Sequence, residues 1–521
     1  METCPARLNF ADHLVRLNAG RASKAAYIDG ERSLSYAELA QRIARFAGAL
    51  RGLGIHREER VLLLMHDTTD WPVAFLGALQ AGVVPVAVNT LLTVEDYAYM
   101  IENSRCQAAI LSAPLLGTLQ AALARTARHE VRHVVISRPE GPLAEGLLDF
   151  DALVEGAPAL PAADTQADEI AFWLYSSGST GQPKGVVHTH GNLWHTAELY
   201  GKPILGVRED DVVFSAAKLF FAYGLGNGLT FPLSVGATTI LMKDRPTPDA
   251  VFERLTRYRP TVFCGVPTLF ASMLASPHLP AREQVAMRIC ASAGEALPRE
   301  LGERYTQHFG CPILDGIGST EMLHIFLSNQ PGGIRYGTTG KPVPGYEVEL
   351  RDEAGAAVPP GTIGDLYIKG PSAALMYWNN RDKSRDIYRG AWLKSGDKYT
   401  CDADGYYTYA GRSDDMIKVS GQYVSPVEVE SVLARHPSVL EAAVIGAPDA
   451  DGLTKTVAYV VLRPGVVQDE RTEPELKDFV KRNLAPFKYP RSICFLDELP
   501  KTATGKIQRF RLRQQCEVER A

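Results

Sequence analysis

Ile170-Ala171-Phe172-Trp173-Leu174-Tyr175, then Ser176-Ser177-Gly178-Ser179-Thr180-Gly181-Gln182-Pro183-Lys184-Gly185, then Val186-Val187-His188: the reading of this chain turns on that stretch. An apolar run of strand length ends in a loop of hydroxyls and glycines, and extended sequence resumes beyond it. Gly178 and Gly181 allow the positive φ of a tight turn around an anion, while Ser176, Ser177, Ser179 and Thr180 add O–H donors to the backbone N–H groups. The loop is not a Walker A element, because Lys184 is followed by Gly185 and not by Ser or Thr. Extended flanks imply no helix dipole, so the expectation is a strand, a loop able to wrap a polyphosphate, and a second strand. A surface turn of similar composition is the competing reading.

The sequence on either side alternates in the same manner. Residues 36–53 carry apolar side chains at helical spacing, with Gly54 where a C-cap belongs. Arg60-Val61-Leu62-Leu63-Leu64-Met65 predicts a buried strand, residues 71–82 a helix, and Val83-Val84-Pro85-Val86-Ala87-Val88 another strand. Residues 157–168, rich in Pro, Ala and Asp, predict an exposed connection. Beyond the loop, Thr238-Thr239-Ile240-Leu241-Met242, Pro260-Thr261-Val262-Phe263-Cys264 and Met287-Arg288-Ile289-Cys290-Ala291 continue as strands beside helical segments. Such alternation predicts an α/β fold of two parallel-type subdomains over about residues 1–336. From 337 to 413 short runs such as Tyr346-Glu347-Val348-Glu349-Leu350, separated by Gly and Pro, predict a small β-barrel or sheet that completes an N-terminal domain of residues 1–413. Residues 414–521 return to a compact α+β texture, with helices expected at 426–435 and 474–484, and form a second, smaller domain.

With 521 residues, several folding units of about 150 each are expected. A hydrophobic content of 45%, a charged content of 22% and a net charge of -5 exclude a long disordered chain and a nucleic-acid binder working through a basic surface. A polyanionic substrate must then be met by local donors. The eight cysteines are scattered without metal-type spacing, as thiols of a reducing compartment would be. No basic start leads into an apolar run, and no stretch of about 18 apolar residues occurs, so neither a leader nor a membrane span is expected and the location expected is cytoplasmic.

A second chemical segment lies near the C-terminus: Pro500-Lys501-Thr502-Ala503-Thr504-Gly505-Lys506 presents a lysine on a glycine-containing turn. Between the two segments, Asp315-Gly316-Ile317-Gly318-Ser319-Thr320-Glu321 places a carboxylate after a glycine-rich turn, suited either to Mg²⁺ or to a solvated helix start. Ser395-Gly396-Asp397 is either a plain turn or a carboxylate for ribose hydroxyls. His188, His190 and His195 have no spacing that builds a tetrahedral zinc site.

On these residues the chain resembles the superfamily of acyl-CoA synthetases, peptide-synthetase adenylation domains and firefly-type luciferases, over nearly its whole length. The 176–185 loop looks like the family's phosphate loop, 316–321 its Gly-x-Thr-Glu segment, 395–397 its ribose motif, 411–430 its hinge region and 500–506 its catalytic-lysine loop. The resemblance implies ATP, Mg²⁺ and coenzyme A, and a reaction in which a carboxylate attacks the α-phosphate and a thiol then displaces AMP. It implies nucleotide contacts from Ser176, Ser177, Gly178, Ser179, Thr180, Gly181, Lys184, Gly294, Glu295, Ala296, Asp315, Gly316, Ile317, Ser319, Thr320, Asp397 and Arg412. Thr180 and Glu321 would serve phosphate and Mg²⁺, with Lys506 as the catalytic cation. Asp414 matches the residue about which a mobile C-terminal domain turns, bringing Ser420, Gly421, Gln422 and Tyr423 to CoA. Lys418 reads equally as a phosphate contact and as a solvated lysine. Ile317 stands where an aromatic residue is common in relatives, which puts the adenine contact in doubt there.

Lys218-Leu219-Phe220-Phe221-Ala222-Tyr223-Gly224-Leu225-Gly226 falls where this family builds its acid pocket. Phe221, Ala222, Tyr223 and Gly224, with Ile317, Gly318, His324 and Ile325 opposite, would form a flat slot for a small arene; an ordinary core helix reads similarly. More narrowly, the 220–226 and 316–325 runs resemble those of bacterial benzoate-CoA ligases, which implies benzoate as the acid. Loading of a carrier protein in place of free CoA, and a non-catalytic nucleotide sensor, are the competing functions. Small molecules are the expected partners, with no nucleic acid and no membrane; a homodimer and a lysine acyltransferase or deacylase acting on Lys506 stay open.

Overall fold

Apolar runs without polar alternation become the inner strands of two sheets. The computed structural model describes residues 3–176, 182–413, 415–419, 422–448, 454–484, 488–501 and 507–518. The chain divides into two compact units, Met1–Glu347 with Ile368–Leu393, and Val348–Tyr367 with Lys394–Ala521.

In the first unit an eight-stranded sheet runs in the order Met376–Tyr377, Lys184–Thr189, Ile170–Ser176, Val84–Ala87, Arg60–Leu64, Ala108–Ser112, His133–Ser137, Leu147–Asp149. Its inner strands are parallel. Both faces are covered, which is why these strands are apolar throughout. Val61 and Leu63 pack with helices Tyr36–Gly52 and Asp70–Ala81, while Leu62 and Leu64 pack with helices Val94–Ser104 and Leu116–Arg125. Helix Tyr36–Gly52 starts in a capping box between Ser35 and Glu38. It stops before Leu53, and Gly54 takes the left-handed φ of 71° one residue later. Gly82 closes the helix expected over 71–82 in the same left-handed way.

A nine-stranded sheet is the second layer of this unit, ordered Lys341–Pro342, Ile325–Ser328, Ile313–Gly318, Ile289–Ser292, Val262–Gly265, Val212–Ser215, Thr238–Ile240, Ala25–Ile28, Ser33–Ser35. Phe214, Phe263, Cys290 and Ile313 face helices Pro248–Arg257, Pro267–Ala275 and Arg299–Phe309. Ile289–Ser292 and Ile313–Gly318 run parallel, and Ile325–Ser328 then folds back antiparallel on Ile313–Gly318 with an irregularity between Ile317 and Gly318. Residues 319–324 therefore join two strands beyond the C-terminal end of a parallel strand, where α/β sheets bind ligands. Glu321 sits in that connection and does not begin a helix.

The second unit is built on strands Glu347–Arg351, Gly364–Lys369, Trp392–Cys401 and Tyr407–Arg412. These Gly- and Pro-punctuated runs form a sheet. Further on, Val439–Pro448 pairs antiparallel with Thr454–Leu462, and Ser492–Phe495 adds in parallel. Helices Pro426–Leu433 and Thr472–Asn483 supply Val429, Leu433, Leu476 and Val480 to the core against Val444, Ala458 and Val460. A half-buried pair of Arg509 with Glu430, at 2.7 and 2.8 Å, ties helix Arg509–Val518 to helix Pro426–Leu433.

Candidate active site

The strands that flank the hydroxyl loop close on each other with Ser176 opposite Lys184. Residues 177–181, Thr180 among them, lie outside the described residues. What the strands carry is informative. Ser176 Oγ donates to Glu321 Oε1 at 3.3 Å, so the first hydroxyl of the loop and the carboxylate 145 residues later meet. Tyr377 donates its phenol to the same oxygen at 2.7 Å, and Ala374 N–H donates to the Glu321 carbonyl at 2.8 Å. Tyr377 belongs to the two-residue strand paired with Lys184–Thr189, opposite Val186. The Lys184 ammonium stands 4.9 Å from the Tyr377 ring centroid. Tyr388, whose ring lies 5.8 Å from that of Tyr377, has a buried hydroxyl with no hydrogen-bond partner among the described residues, and burial with the Glu321 charge pushes its phenol up.

His188 holds the Glu321 connection from the strand side. Its Nε2–H donates to the Thr320 carbonyl at 2.7 Å, and Nδ1 accepts from the Asn192 amide at 2.9 Å. A carbonyl can only accept, which fixes the proton on Nε2. Burial pushes His188 down to about 4, so the ring is neutral, and it stacks on Phe172 at 5.1 Å. His190 is likewise pushed down to about 4 and accepts from the Phe10 N–H at 3.2 Å. Each histidine of the trio has a structural task, His195 packing edge-on against Trp194.

Gly294, Glu295 and Ala296 follow strand Ile289–Ser292, with Gly294 at φ 95°. On the neighbouring strand Asp315 is 3% exposed, its Oδ1 has no hydrogen-bond partner among the described residues, and burial pushes it up to about 8. Burial therefore favours its protonated, uncharged form. A Cβ on Gly316 would lie 2.9 Å from Ile325 Cγ2, so Ile325 packs behind this strand.

His324 is the centre of the proposed slot. Its ring stacks with Tyr223 at 5.6 Å and meets Phe231 at 4.6 Å and Tyr200 at 5.2 Å. Nε2–H donates to the Tyr223 carbonyl at 3.4 Å. Burial pushes His324 down to about 3, so it too is neutral. Glycines make the approach possible: a Cβ on Gly226 would lie 2.3 Å from His324 Cδ2, and one on Gly318 2.6 Å from the His324 carbonyl oxygen. Phe221 and Ala222, half-buried, open helix Ala222–Leu225, and Gly224 packs against the Lys218 carbonyl. Ile317 is half-buried beside Gly318. None of Phe221, Ala222, Tyr223, Gly224, Ile317, Gly318 or His324 carries a charge.

The sequence reading missed Tyr200, Phe231, Tyr377 and Tyr388. Tyr377 stands in Leu375-Met376-Tyr377-Trp378, an apolar run with no motif around it. Only Gly226, in the glycine-spaced 220–226 run, signalled a close approach.

In the second unit Asp397 and Arg412 are directly opposed across two strands, and Arg412 Nη1 donates to Asp397 Oδ1 at 3.1 Å. Gly396 takes φ 79°, and a Cβ there would lie 2.9 Å from Arg412 Nη2. Asp414, Ser420, Gly421 and Lys506 lie outside the described residues, as do the side chains of Lys418, Gln422 and Tyr423. Lys501 and Ile507, on either side of 502–506, form an antiparallel bridge, and Lys501 pairs with Glu441 at 2.6 Å. Among the described residues no group of three His, Cys, Asp or Glu is placed to hold a metal, and no helix is long and apolar enough to cross a membrane.

The AMP-binding enzyme family matches residues 15–378, and the AMP-binding enzyme C-terminal domain matches residues 428–506. A benzoate–CoA ligase of Thauera aromatica is 56% identical over 513 residues, covering 98% of this chain and 96% of the relative. A 4-hydroxybenzoate–CoA/benzoate–CoA ligase of Rhodopseudomonas palustris is 46% identical, with 98% and 94% covered. The crystal structure of a benzoate CoA ligase from Burkholderia xenovorans LB400 matches with TM-score 0.90 and 64% identity, covering 97% of this chain and 100% of that one. That of an anthranilate CoA ligase with anthranoyl-AMP matches with TM-score 0.93 and 41% identity, covering 99% and 98%.

Proposed function

This chain belongs to the AMP-binding enzyme family, and from that premise we propose that it is an AMP-forming benzoate–CoA ligase, which activates benzoate with ATP and transfers the acyl group to coenzyme A. The uncharged cluster of rings around His324 is the observation that supports the choice of acid. A planar arene packs favourably against rings, and a buried cation beside it would be wasted because the carboxylate must reach phosphorus.

A benzoate oxygen attacks the α-phosphorus of ATP, the bond from that phosphorus to the α,β-bridging oxygen breaks, and acyl-AMP and pyrophosphate form. The CoA thiolate then attacks the acyl carbon, the bond to the AMP oxygen breaks, and the thiol proton passes to solvent. Positioning and charge stabilisation dominate such chemistry. Residues 176–181 and Lys184 bind the phosphates, Thr180 included. Gly294, Glu295, Ala296, Asp315, Gly316, Ile317, Ser319 and Thr320 frame the base, and the carboxylate of Asp397, braced by Arg412, accepts the ribose hydroxyls. Lys506 supplies the positive charge opposite the developing one. Asp414 is the hinge at which residues 414–521 turn between the two half-reactions, after which Ser420, Gly421, Gln422 and Tyr423 line the path of the thiol.

Glu321 fits Mg²⁺, since both of its O–H donors sit on Oε1 while Oε2 has no partner among the described residues, and a carboxylate is a hard-oxygen ligand. When bound, the ion would neutralise phosphate charge. Glu321 itself is fixed by Tyr377 and Ser176 through one oxygen, which orients the other. ATP and CoA supply make the cytoplasm the proposed location. Acylation of Lys506 by an acyltransferase would remove its charge and stop adenylation, which mass spectrometry of protein from cells checks.

The test is pyrophosphate release and thioester formation with ATP, CoA and a panel of benzoate, hydroxy-, amino- and fluorobenzoates, cyclohexane carboxylate and short fatty acids. Benzoate should lead, and Lys506→Ala should lower pyrophosphate release by at least about 10²-fold. Undiminished release in that variant contradicts the role of Lys506; transfer only to a carrier protein contradicts CoA as the acceptor.

A further inference from the structure

Asp67 follows strand Arg60–Leu64 in the first unit and belongs to none of the motifs above. It is 3% exposed. Both of its carboxylate oxygens lie 3.2 Å from the Leu219 N–H, its only hydrogen-bond donor among the described residues. A buried carboxylate with a single backbone donor is costly, and an apolar core position needs none, so its presence asks for a reason.

The reason lies in what Leu219 belongs to. Residues 218–221 form a turn in which Phe221 N–H donates to the Lys218 carbonyl at 3.0 Å. The same turn presses on helix Ala222–Leu225: a Cβ on Gly224 would lie 2.0 Å from the Lys218 carbonyl oxygen and 2.6 Å from that of Ala217. Tyr223, the next side chain along, is the ring that stacks on His324. The Lys218 ammonium is tied to the carbonyls of Met242 and Asp244, so the turn is pinned on its other side as well.

We infer that Asp67 is a positioning residue for the acid slot: by holding the Leu219 N–H it sets the 218–221 turn, and through the turn the spacing of Phe221, Ala222 and Tyr223 around the substrate ring. The inference rests on the ligase reading given above. It touches the acid and not the nucleotide, and that selectivity is what separates it from general support of the fold.

Burial pushes Asp67 up to about 6, with the Lys218 charge opposing the rise. The other group facing it is the buried Tyr27 phenol, while His66 and Asp244 face Lys218. As pH falls through about 6 the carboxylate takes a proton and its hold on the N–H weakens to that of a neutral acceptor.

The experiment measures KM for benzoate and for ATP separately in the wild-type chain, Asp67→Ala and Asp67→Asn, from pH 5.5 to pH 8, with thermal unfolding run alongside. Asp67→Ala should raise KM for benzoate about tenfold and leave KM for ATP within about twofold. Asp67→Asn, whose amide oxygen still accepts, should recover most of the loss. Its KM for benzoate should be flat with pH, whereas that of the wild type should rise about threefold toward pH 5.5. If Asp67→Ala does not fold, the Asp67→Asn pH profile decides alone. Equal rises in both KM values, or a pH profile that Asp67→Asn leaves intact, overturn the proposal while the ligase reading stands. A wild-type chain that activates no aryl acid overturns the reading, and the proposal with it.

Discussion

At one end of the candidate site in the first unit a carboxylate, Glu321, is gripped by two hydroxyls beside Lys184; at the other, three residues along the same connection, His324 is neutral and enclosed by Tyr200, Tyr223 and Phe231. The six residues that join strands Ile313–Gly318 and Ile325–Ser328 thus change from polar to apolar function within one turn. Charge is concentrated where the proposed chemistry moves charge, and where the acid is recognised the residues offer shape. Each end is then open to damage of its own kind.

The largest effect is expected from Glu321→Gln, which keeps the shape and removes the charge. Pyrophosphate release should fall by about 10²–10³-fold, while the preference for benzoate over cyclohexane carboxylate stays as in the wild type. Steady-state rates with both acids check this. A shift of the preference as large as the loss of rate would mean that the two ends are not separable.

At the other end, Gly226→Val places methyls where even a Cβ would come within 2.3 Å of His324 Cδ2. Overpacking of this kind costs about 1–3 kcal/mol, or roughly 5- to 150-fold in KM for benzoate, with KM for ATP little altered. An equal rise in both would break the comparison from this side.

How much of this contrast was legible in the sequence depends on how local its cause is. The strands around the hydroxyl loop and the parallel alternation follow from periodicity and short motifs, and the structure has them. Glu321 was legible as a carboxylate after a glycine-rich turn, but not its neighbours. Tyr377 reaches it from 56 residues further on, through a two-residue strand too short to show a pattern. Asp67 was hidden differently: His66-Asp67-Thr68-Thr69-Asp70 reads as a solvated loop, and only packing shows that Asp67 is buried against Leu219. The rings around His324 were partly legible because Tyr223 lies in a glycine-spaced run, whereas Tyr200 and Phe231 come from segments with ordinary helical texture.

Tyr377→Phe tests whether that long-range contact matters at the charged end. Losing one hydrogen bond to a carboxylate costs about 1.5–3 kcal/mol, so kcat/KM for ATP should fall at least about tenfold. Phe keeps the ring under Lys184, which confines the change to the hydroxyl. Because the charged end alone is touched, the wild-type order of acids in the panel should persist; a reordering would tie Tyr377 to the slot.

The smallest expected effect concerns stability, and here two buried groups of the site, Asp315 and His324, respond to pH with opposite sign. Asp315 ordinarily titrates at 3.8 but is held up to about 8 by burial. Between those values the folded chain keeps a proton that the unfolded chain has lost, so this residue's contribution is full below 3.8 and drains away as pH rises toward 8. His324 goes the other way: ordinarily 6.5 and pushed down to about 3, its contribution is full above 6.5 and drains away as pH falls. Asp315→Asn removes only the first dependence. The difference in Tm, variant minus wild type, should become more positive from pH 5 to pH 8 and level off above it, while His324→Gln should shift the difference mainly below pH 6.5. Parallel melting curves at pH 5, 6.5, 8 and 9 read both, and a variant difference that does not move with pH would mean that Asp315 is ionised where it sits.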